Sequence, residues 1–251
     1  MRIIISPAKK MNHDSDTLAA MGLPVFLSET EKILNWLRGQ SPEALQKLWG
    51  CNDKIAAQNV ERITAMELKK NLTPAILSYE GIQYQYMAPA VFEEKMLAYV
   101  QKHLRILSGF YGVVKPMDGV TPYRLEMQAK ADIEGRGNLY TFWEKKIYDE
   151  VMGEDRVIIN LASKEYSQCV EKYLQPQDTF ITCVFGEFSG KKVVQKGTYA
   201  KMARGEMVRF LAEKGADRPE AMKDFDRLNY RFHKELSTAD EYVFIRETIE
   251  E

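Results

Sequence analysis

The sequence predicts a single α+β domain in which helices surround a central mixed β-sheet. Strand-like and helix-like segments are interspersed along the 251 residues without the strict strand–helix–strand rhythm of a parallel α/β fold. Hydrophobic residues make up 45% of the chain and charged residues 28%, an ordinary balance for a globular protein with a sizeable core. Because no linker divides the chain, we expect one domain over residues 1–251.

Short apolar runs that end at turn residues predict the strands. The first run, Ile3-Ile4-Ile5, stops at Ser6-Pro7. Two runs on either side of Ser189-Gly190 predict a β-hairpin. The predicted strands cover residues 2–6, 75–79, the apolar run that begins at 105, 156–161, 179–188, 191–195 and 242–246.

Capping residues and the helical spacing of apolar side chains predict the helices. Ser28, with Glu31 three residues later, forms a capping box for a helix that ends near Arg38. Ser41-Pro42 supplies a cap followed by proline at the first helical position, and this helix ends near Gly50. The other predicted helices cover residues 52–70, 89–102, 139–152, 163–174, 198–214 and 219–225.

Charge, cysteine count and hydropathy indicate where the protein works. The net charge is −1, from 35 basic and 36 acidic residues, so the total charge does not indicate a polyanion partner. Only local basic segments can indicate one. The three cysteines are odd in number and lack the spacing of a disulfide framework or a metal site. No stretch approaches the roughly 20 apolar residues of a membrane helix, and no signal peptide precedes Pro7. We therefore expect a cytoplasmic protein with no membrane partner, no metal and no cofactor.

The common catalytic signatures are missing from the sequence. It contains neither a phosphate-binding loop nor the glycine fingerprint of dinucleotide-binding proteins, and it has no Gly-x-Ser-x-Gly nucleophile elbow. His13, His103 and His233 stand far from one another and from the cysteines, which argues against a metal site. Catalytic residues therefore remain unassigned.

Three clusters of basic residues are candidates for function. The first is Ser6-Pro-Ala-Lys9-Lys10, directly after the first strand. Open sheets bind ligands at the carboxyl ends of their central strands, so Lys9 and Lys10 are candidate ligand contacts. The alternative is a strand followed by an ordinary surface loop.

The second cluster is the loop from Lys115 to Glu126, in which glycines and prolines control the backbone. Lys115 and Arg124 are candidate phosphate contacts, and Tyr123 is a candidate for stacking on a base or sugar. Just before this loop, Gly109 and Gly112 resemble the tight hairpin of helix-hairpin-helix modules. The alternative is a packed loop in which Arg124 forms a salt bridge with an internal acid such as Glu126.

The third cluster runs from Lys196 to Arg209. Thr198 is a candidate N-cap, and Lys201 and Arg204, three residues apart, share one helix face. Gly205 in mid-helix indicates that another segment packs closely there, since glycine costs about 1 kcal/mol relative to alanine in that position. The alternative is a solvated basic face, although Lys191 and Lys192 favour a larger basic surface.

Five motifs together resemble the YaaA peroxide-stress protein family, and they span nearly the whole chain. They are Ile5-Ser-Pro-Ala-Lys9, Leu107–Pro116 with Pro122–Met127, Leu139-Tyr-Thr-Phe-Trp143, Asn160–Tyr166 and Lys201–Gly205. Lys10 and Lys164 depart from the family pattern without upsetting the assignment.

The resemblance implies a cytosolic protein that supports survival of hydrogen peroxide, lowers free iron and protects DNA from iron-driven oxidation. It also implies DNA binding through a basic cleft and a helix-hairpin-helix-like element. Taking the clusters and the resemblance together, the candidate DNA-binding residues are Lys9, Lys10, Lys115, Tyr123, Arg124, Lys196, Lys201 and Arg204.

The sequence leaves two functional classes open and argues against a third. The first is a monomeric protein that binds duplex or distorted DNA without sequence specificity. The second is an enzyme acting on a nucleotide, a nucleobase or damaged DNA, with Lys9 as amine or phosphate anchor and Glu126 or Glu165 as base. Direct iron sequestration is disfavoured because the chain has no Glu-x-x-His pair and no cysteine cluster.

Overall fold

The computed structural model describes residues 1–14 and 17–247 and confirms the α+β class. Its strands are β1 (Arg2–Ile5), β2 (Lys10–Met11), β3 (Thr73–Pro74), β4 (Tyr79–Glu80), β5 (Leu104–Ser108), β6 (Gly112–Val114), β7 (Gly119–Val120), β8 (Val157–Leu161), β9 (Thr179–Ser189), β10 (Lys192–Val194), β11 (Tyr230–Phe232) and β12 (Glu241–Arg246). Its α-helices are α1 (Leu27–Arg38), α2 (Pro42–Trp49), α3 (Asp53–Ala65), α4 (Ala75–Ser78), α5 (Ile82–Met87), α6 (Glu94–His103), α7 (Leu139–Trp143), α8 (Lys146–Val151), α9 (Lys164–Glu171) and α10 (Gly197–Lys214). Short 3₁₀ turns occupy Pro89–Val91, Ile133–Gly135, Pro219–Asp224, Arg227–Asn229 and Lys234–Leu236.

One mixed sheet of eight strands organises these elements. Its order is β11-β12-β9-β8-β1-β5-β6, with β10 paired to β9 as the second arm of the predicted hairpin. The central strands β12, β9, β8, β1 and β5 are parallel, whereas the edge strands β6 and β11 run antiparallel to their neighbours. Strand β1 is buried along Ile3, Ile4 and Ile5 because it lies between two parallel strands near the middle of the sheet.

The connections after β1 and β8 lead in opposite directions across the sheet. From β1 the chain proceeds to β5 on one side, and from β8 it proceeds to β9 on the other side. The carboxyl ends of β1 and β8 therefore flank a topological switch point, which is where open α/β sheets form ligand crevices.

Helix α10 packs closely against α5, and Gly205 is the reason that it can. A Cβ atom built on Gly205 would overlap the carbonyl oxygen of Gln83 and lie 2.9 Å from the backbone nitrogen of Met87. The close packing that Gly205 predicts is confirmed. This contact holds α10 beside the segment that follows β4.

Several predicted boundaries and one predicted strand are wrong. Residues 75–78 form the single turn α4, because they pack as a buried turn between the short strands β3 and β4. Ser28 does not cap α1: Phe26 occupies the N-cap position, and the Ser28 hydroxyl donates to Glu29 instead. Likewise Lys196, not Thr198, is the N-cap residue of α10.

Three predicted helices are shorter than expected or divided. Helix α3 ends at Ala65, since Met66 adopts an extended conformation. The predicted helix over 89–102 becomes a 3₁₀ turn and α6, which leaves Val91 exposed. The helix over 139–152 is broken between α7 and α8 at Glu144, whose φ of 47° is incompatible with a continuous α-helix.

Gly109 and Gly112 do not belong to a helix-hairpin-helix element. They lie at the turn of the β-hairpin that joins β5 to β6, so that interpretation of the two glycines is wrong. Gly112 has a φ of +71°, and its missing side chain accommodates the ring of Trp143. Gly109 lies against the backbone of residues 125–127, where a Cβ would be 2.7 Å from the Leu125 carbonyl oxygen. The glycines serve packing at the end of the sheet.

Candidate functional site

A pocket of about 400 Å³ opens at the switch point, beyond the carboxyl ends of β1 and β8. Five basic and three acidic side chains line it. The basic residues are Lys9, Lys10, Arg124, Lys201 and Arg204, and the acidic residues are Glu80, Glu126 and Glu165. Residues that are almost 200 positions apart in the chain therefore meet in one place, as the sequence analysis requires.

Two serines join the strand ends that frame the pocket. The backbone N–H of Ser163 donates to Oγ of Ser6 at 2.8 Å, and the two hydroxyl oxygens are 3.2 Å apart. The hydroxyl of Tyr84 donates to the Ser6 carbonyl oxygen at 2.9 Å. These bonds tie the loop after β1 to the start of α9 and to α5, so the pocket rim has a defined backbone.

Glu126 is shared by two cations on one wall of the pocket. Its Oε2 lies 2.9 Å from Nζ of Lys9, and its Oε1 lies 3.6 Å from Nη2 of Arg124. Lys9 is 64% exposed, whereas Arg124 is 13% exposed. The expected alternative for Arg124, an ion pair with Glu126, is thus present, but Arg124 still lines the pocket.

Lys201 and Arg204 form a second wall of the pocket, contributed by α10. Lys201 is exposed, and Arg204 is mostly buried. The Nε of Arg204 has no hydrogen-bond partner among the residues that the structure describes. Burial lowers the pKa of Arg204, and the nearby thiol of Cys183 only partly opposes this. A buried guanidinium without a carboxylate is costly, so this side chain is the strongest indication of an anionic ligand.

Glu165, in the first turn of α9, gives the pocket a titratable carboxyl group. Its Oε1 accepts a hydrogen bond from the backbone N–H of Gln128 at 3.3 Å. Burial and the neighbouring Glu126 raise the pKa of Glu165, while that hydrogen bond and Lys9 act in the opposite direction. A carboxyl group with a raised pKa in a pocket is suited to proton transfer.

Tyrosines form the floor of the pocket. The hydroxyl of Tyr123 lies 2.6 Å from Oγ of Ser108 and 3.0 Å from the hydroxyl of Tyr79, and its ring stacks on Phe110 at 4.8 Å. Tyr123 is only 4% exposed, so it acts as a fixed floor and presents no open face for stacking. Burial raises the pKa of Tyr123 and of Tyr84, and both remain neutral phenols.

Two of the eight predicted contacts lie away from the pocket. Lys115 follows β6, which runs back towards the amino-terminal end of β5, and it borders Asp118 and Glu150 there. Lys196 forms an ion pair with Glu187 at the start of α10. The other six predicted residues line the pocket. Their binding to DNA stays a prediction.

Residues 80–84 also line the pocket, although they are not among the predicted site residues. Glu80, Gly81, Ile82 and Gln83 line the pocket from the end of β4 and the start of α5, and Glu80 pairs with Lys10. No motif marks this segment. The α9 segment, by contrast, was visible as the Ala-Ser-x-Glu-Tyr motif, which places Ser163, Glu165 and Tyr166 around the pocket.

Thiol chemistry provides a first testable expectation. Burial raises the pKa of Cys169 and of Cys183 to about 12, whereas Cys51 is partly exposed. Since the thiolate is the reactive form, iodoacetamide should modify Cys51 first in the folded protein and reach the other two only after unfolding. Peptide mass spectrometry after timed labelling measures this. Equal labelling of Cys51 and Cys183 under native conditions would contradict the burial.

The described residues include neither a membrane-spanning helix nor a cluster of metal-ligating side chains. No helix within 1–14 and 17–247 is long and apolar enough to span a membrane. Within the same ranges, no three His, Cys, Asp or Glu side chains come together as a possible metal site.

Known proteins are similar to this chain over nearly its whole length. The sequence model of the family described as "Peroxide stress protein YaaA" matches residues 1–236. A UPF0246 protein of Agathobacter rectalis is 58% identical over 246 residues, which cover 98% of this chain and 99% of the relative. UPF0246 proteins of Lachnoclostridium phytofermentans and Pediococcus pentosaceus are each 52% identical, cover 98% of this chain, and match over 96% and 98% of their own lengths.

Proposed function

Because the chain belongs to the family of the peroxide stress protein YaaA, we propose that it protects DNA under peroxide stress by binding the phosphate backbone at the switch-point pocket. Binding is independent of sequence and limits iron-driven oxidation of the DNA. The single observation that carries this proposal is Arg204, a mostly buried cation that lacks a carboxylate partner in the described part of the chain and lines the pocket with Lys201.

The charge distribution around the pocket supports phosphate as the ligand. Lys9, Lys10 and Arg124 have carboxylate partners, which hold them in position at the rim. Lys201 and Arg204 belong to the wall that α10 contributes. A phosphate between the two walls replaces the missing counter-charge of Arg204 and forms charge-assisted hydrogen bonds.

The direct test is the salt dependence of DNA affinity. Each phosphate neutralised by the protein contributes a slope of about −0.9 to log K against log salt concentration. We expect Lys201→Gln to lower the magnitude of that slope by about 0.9, measured by fluorescence anisotropy on duplex DNA between about 50 and 200 mM salt.

Lys70→Gln is the matched control, since Lys70 is exposed, pairs with Glu67 at 2.7 Å and lies outside the pocket. Its slope should equal that of the wild type. Affinity that is independent of salt, or no binding at low salt, would remove the proposed function.

Glu165 should oppose DNA binding at neutral pH. Its pKa is raised, so it becomes neutral at a higher pH than an ordinary glutamate, and wild-type affinity should rise as the pH is lowered from neutral. Glu165→Gln removes the negative charge permanently. We expect it to bind DNA about fivefold more tightly at neutral pH and to show a flatter pH profile.

Glu67→Gln is the control for the pH experiment, because Glu67 is exposed, pairs with Lys70 and lies outside the pocket. It should keep the wild-type profile. A loss of DNA affinity in Glu165→Gln would contradict the expected repulsion.

The second candidate function is an enzyme that acts on a nucleotide, a nucleobase or damaged DNA. The observation that favours it is the pair of carboxyl groups, Glu126 and Glu165, beside Lys9. The 64% exposure of Lys9 favours a binding role over that of an amine nucleophile, which works best when desolvated. Borohydride trapping on DNA with an abasic site separates the two: a covalent adduct that is lost in Lys9→Ala supports the enzyme.

A further inference from the structure

We infer that the switch-point pocket encloses one nucleotide unit, with the phosphate between Lys201 and Arg204 and the base against the apolar lining of Pro7, Ala8, Ile82 and Leu125. This inference rests on the proposed function and narrows its ligand from a DNA backbone to a nucleotide that is not held in a base pair. Such a unit comes either from an unpaired position in DNA or from a free nucleotide.

The position of Arg204 argues for a ligand that enters the pocket. Phosphates of an intact duplex lie on its outer surface and can reach exposed rim residues such as Lys9 and Lys201. Arg204 lies deeper: its Nε is buried, and the guanidinium is close enough to the fully buried Cys183 to interact electrostatically. A phosphate that contacts Arg204 must therefore enter the cavity.

The surroundings of Arg204 also define the side of approach. On its other side, Arg204 borders an open groove in which four acids outnumber two cations: the acids are Glu171, Asp178, Asp240 and Glu241, and the cations are Lys164 and Arg204 itself. These carboxylates repel an anion. The switch-point pocket has more cations than acids, so an anionic ligand reaches Arg204 from there.

The rest of the lining suits a base. Pro7, Ala8, Ile82 and Leu125 supply apolar surface, and the pocket ends on the buried ring of Tyr123. Gln83 is buried at the pocket wall, and the only hydrogen bond of its side chain among the described residues is a long one, from Nε2 to the Leu161 carbonyl oxygen at 3.5 Å. Its amide can therefore pair with a base edge, as polar groups do when they orient a ligand in an apolar pocket.

The size of the cavity agrees with one nucleotide and excludes a duplex. A volume of about 400 Å³ lies within the range of pockets that enclose small molecules, about 300–1,000 Å³. Removing a nucleotide from a duplex costs a few kcal/mol of stacking and pairing, and an already unpaired nucleotide avoids most of that cost. The protein should therefore prefer DNA with an unpaired position.

The test compares three ligands at one salt concentration: a matched duplex, the same duplex with a single-nucleotide bulge of 2-aminopurine, and free mononucleotides as competitors. We expect the bulged duplex to bind at least about tenfold more tightly than the matched one, with a change in 2-aminopurine fluorescence. Competition by mononucleotides at millimolar concentration, without a bulge preference, supports the same pocket with a free nucleotide as its source.

Two variants connect these signals to the pocket. Ile82→Trp fills part of the cavity without changing its charge, and Ile82→Phe fills less of it. Both variants should reduce the preference for the bulged duplex and the fluorescence change. Ile82→Phe should reduce them less than Ile82→Trp, because its side chain is smaller. Val91→Trp is the control, because Val91 is 64% exposed and lies outside the pocket. Thermal melting verifies that each variant is folded.

The outcomes separate the inference from the proposed function. Equal affinity for matched and bulged duplexes, with unchanged fluorescence and no competition by mononucleotides, overturns the inference and leaves DNA binding in place. A bulge preference that survives in folded Ile82→Trp also overturns it, since the nucleotide would then lie elsewhere. Failure to bind any DNA, combined with mononucleotide binding that Ile82→Trp abolishes, overturns the proposed function and supports the pocket's ligand class.

Discussion

Replacing Arg204 with methionine is expected to weaken DNA binding on the order of 30-fold while making the fold more stable. The loss follows from removing a charge-assisted bond to phosphate. The gain follows from burial: the pKa of Arg204 is lowered by desolvation, and no carboxylate in the described residues compensates the charge. A methionine of similar length fills the space without that penalty, so the free energy of unfolding should rise by about 1–2 kcal/mol. Anisotropy titration and urea denaturation measure the two effects.

Arg209→Met is the matched control for this experiment. Arg209 lies on the same helix, and its Nε donates to Oε1 of Glu213 at 2.8 Å. Its DNA affinity and its stability should both stay close to those of the wild type, since partly exposed ion pairs contribute little. If Arg204→Met bound DNA normally, Arg204 would not be the phosphate anchor. If it unfolded, the guanidinium would have a structural partner.

Gly205→Ala is expected to destabilise the protein by about 3 kcal/mol or more. The added Cβ would overlap the Gln83 carbonyl oxygen and approach the backbone of Met87, and neither backbone group can move without shifting α5. Overpacking of this kind is among the most damaging single changes. Urea denaturation followed by circular dichroism measures the loss, and the displaced α5 should also weaken nucleotide binding.

The same helix supplies the control for Gly205. A Cβ on Gly197 would have no atom within 4 Å, so Gly197→Ala should be neutral or slightly stabilising. Both substitutions add one methyl group to α10. Their difference therefore isolates the contact with α5, and equal stabilities would show that α10 and α5 do not pack as described.

Patterns that depend on neighbouring residues predicted much of the fold. The β-branched runs gave β1 and β8, and Ser189-Gly190 gave the β9–β10 hairpin, because these elements follow from local propensity and turn chemistry. Ala75–Ser78 was predicted as a strand and is a helical turn, since a four-residue apolar run does not distinguish the two and tertiary packing decides. The break at Glu144 is similarly a tertiary effect without a proline or glycine to mark it.

The sequence predicted which basic residues are candidates for the site, but not where each of them lies in the fold. Lys9, Arg124 and Arg204 meet, as the clusters require, because the sheet order places β1 beside β8 and α10 beside α5. Lys115 looks equivalent to Arg124 in sequence, yet the β5–β6 hairpin carries it towards the other end of the sheet. Ion pairs such as Lys9–Glu126 and Lys10–Glu80 likewise depend on contacts that no local pattern encodes.

The positions of the two pocket walls along the chain also determine when the pocket can form during synthesis. One wall follows the first strand at Lys9, and the other belongs to a helix that is synthesised about 190 residues later. A growing polypeptide on the ribosome therefore has no complete anion site until α10 has emerged and docked. Before that point the unfinished chain has only the paired cations of the first wall, so the strongest anion contact forms only once α10 has docked.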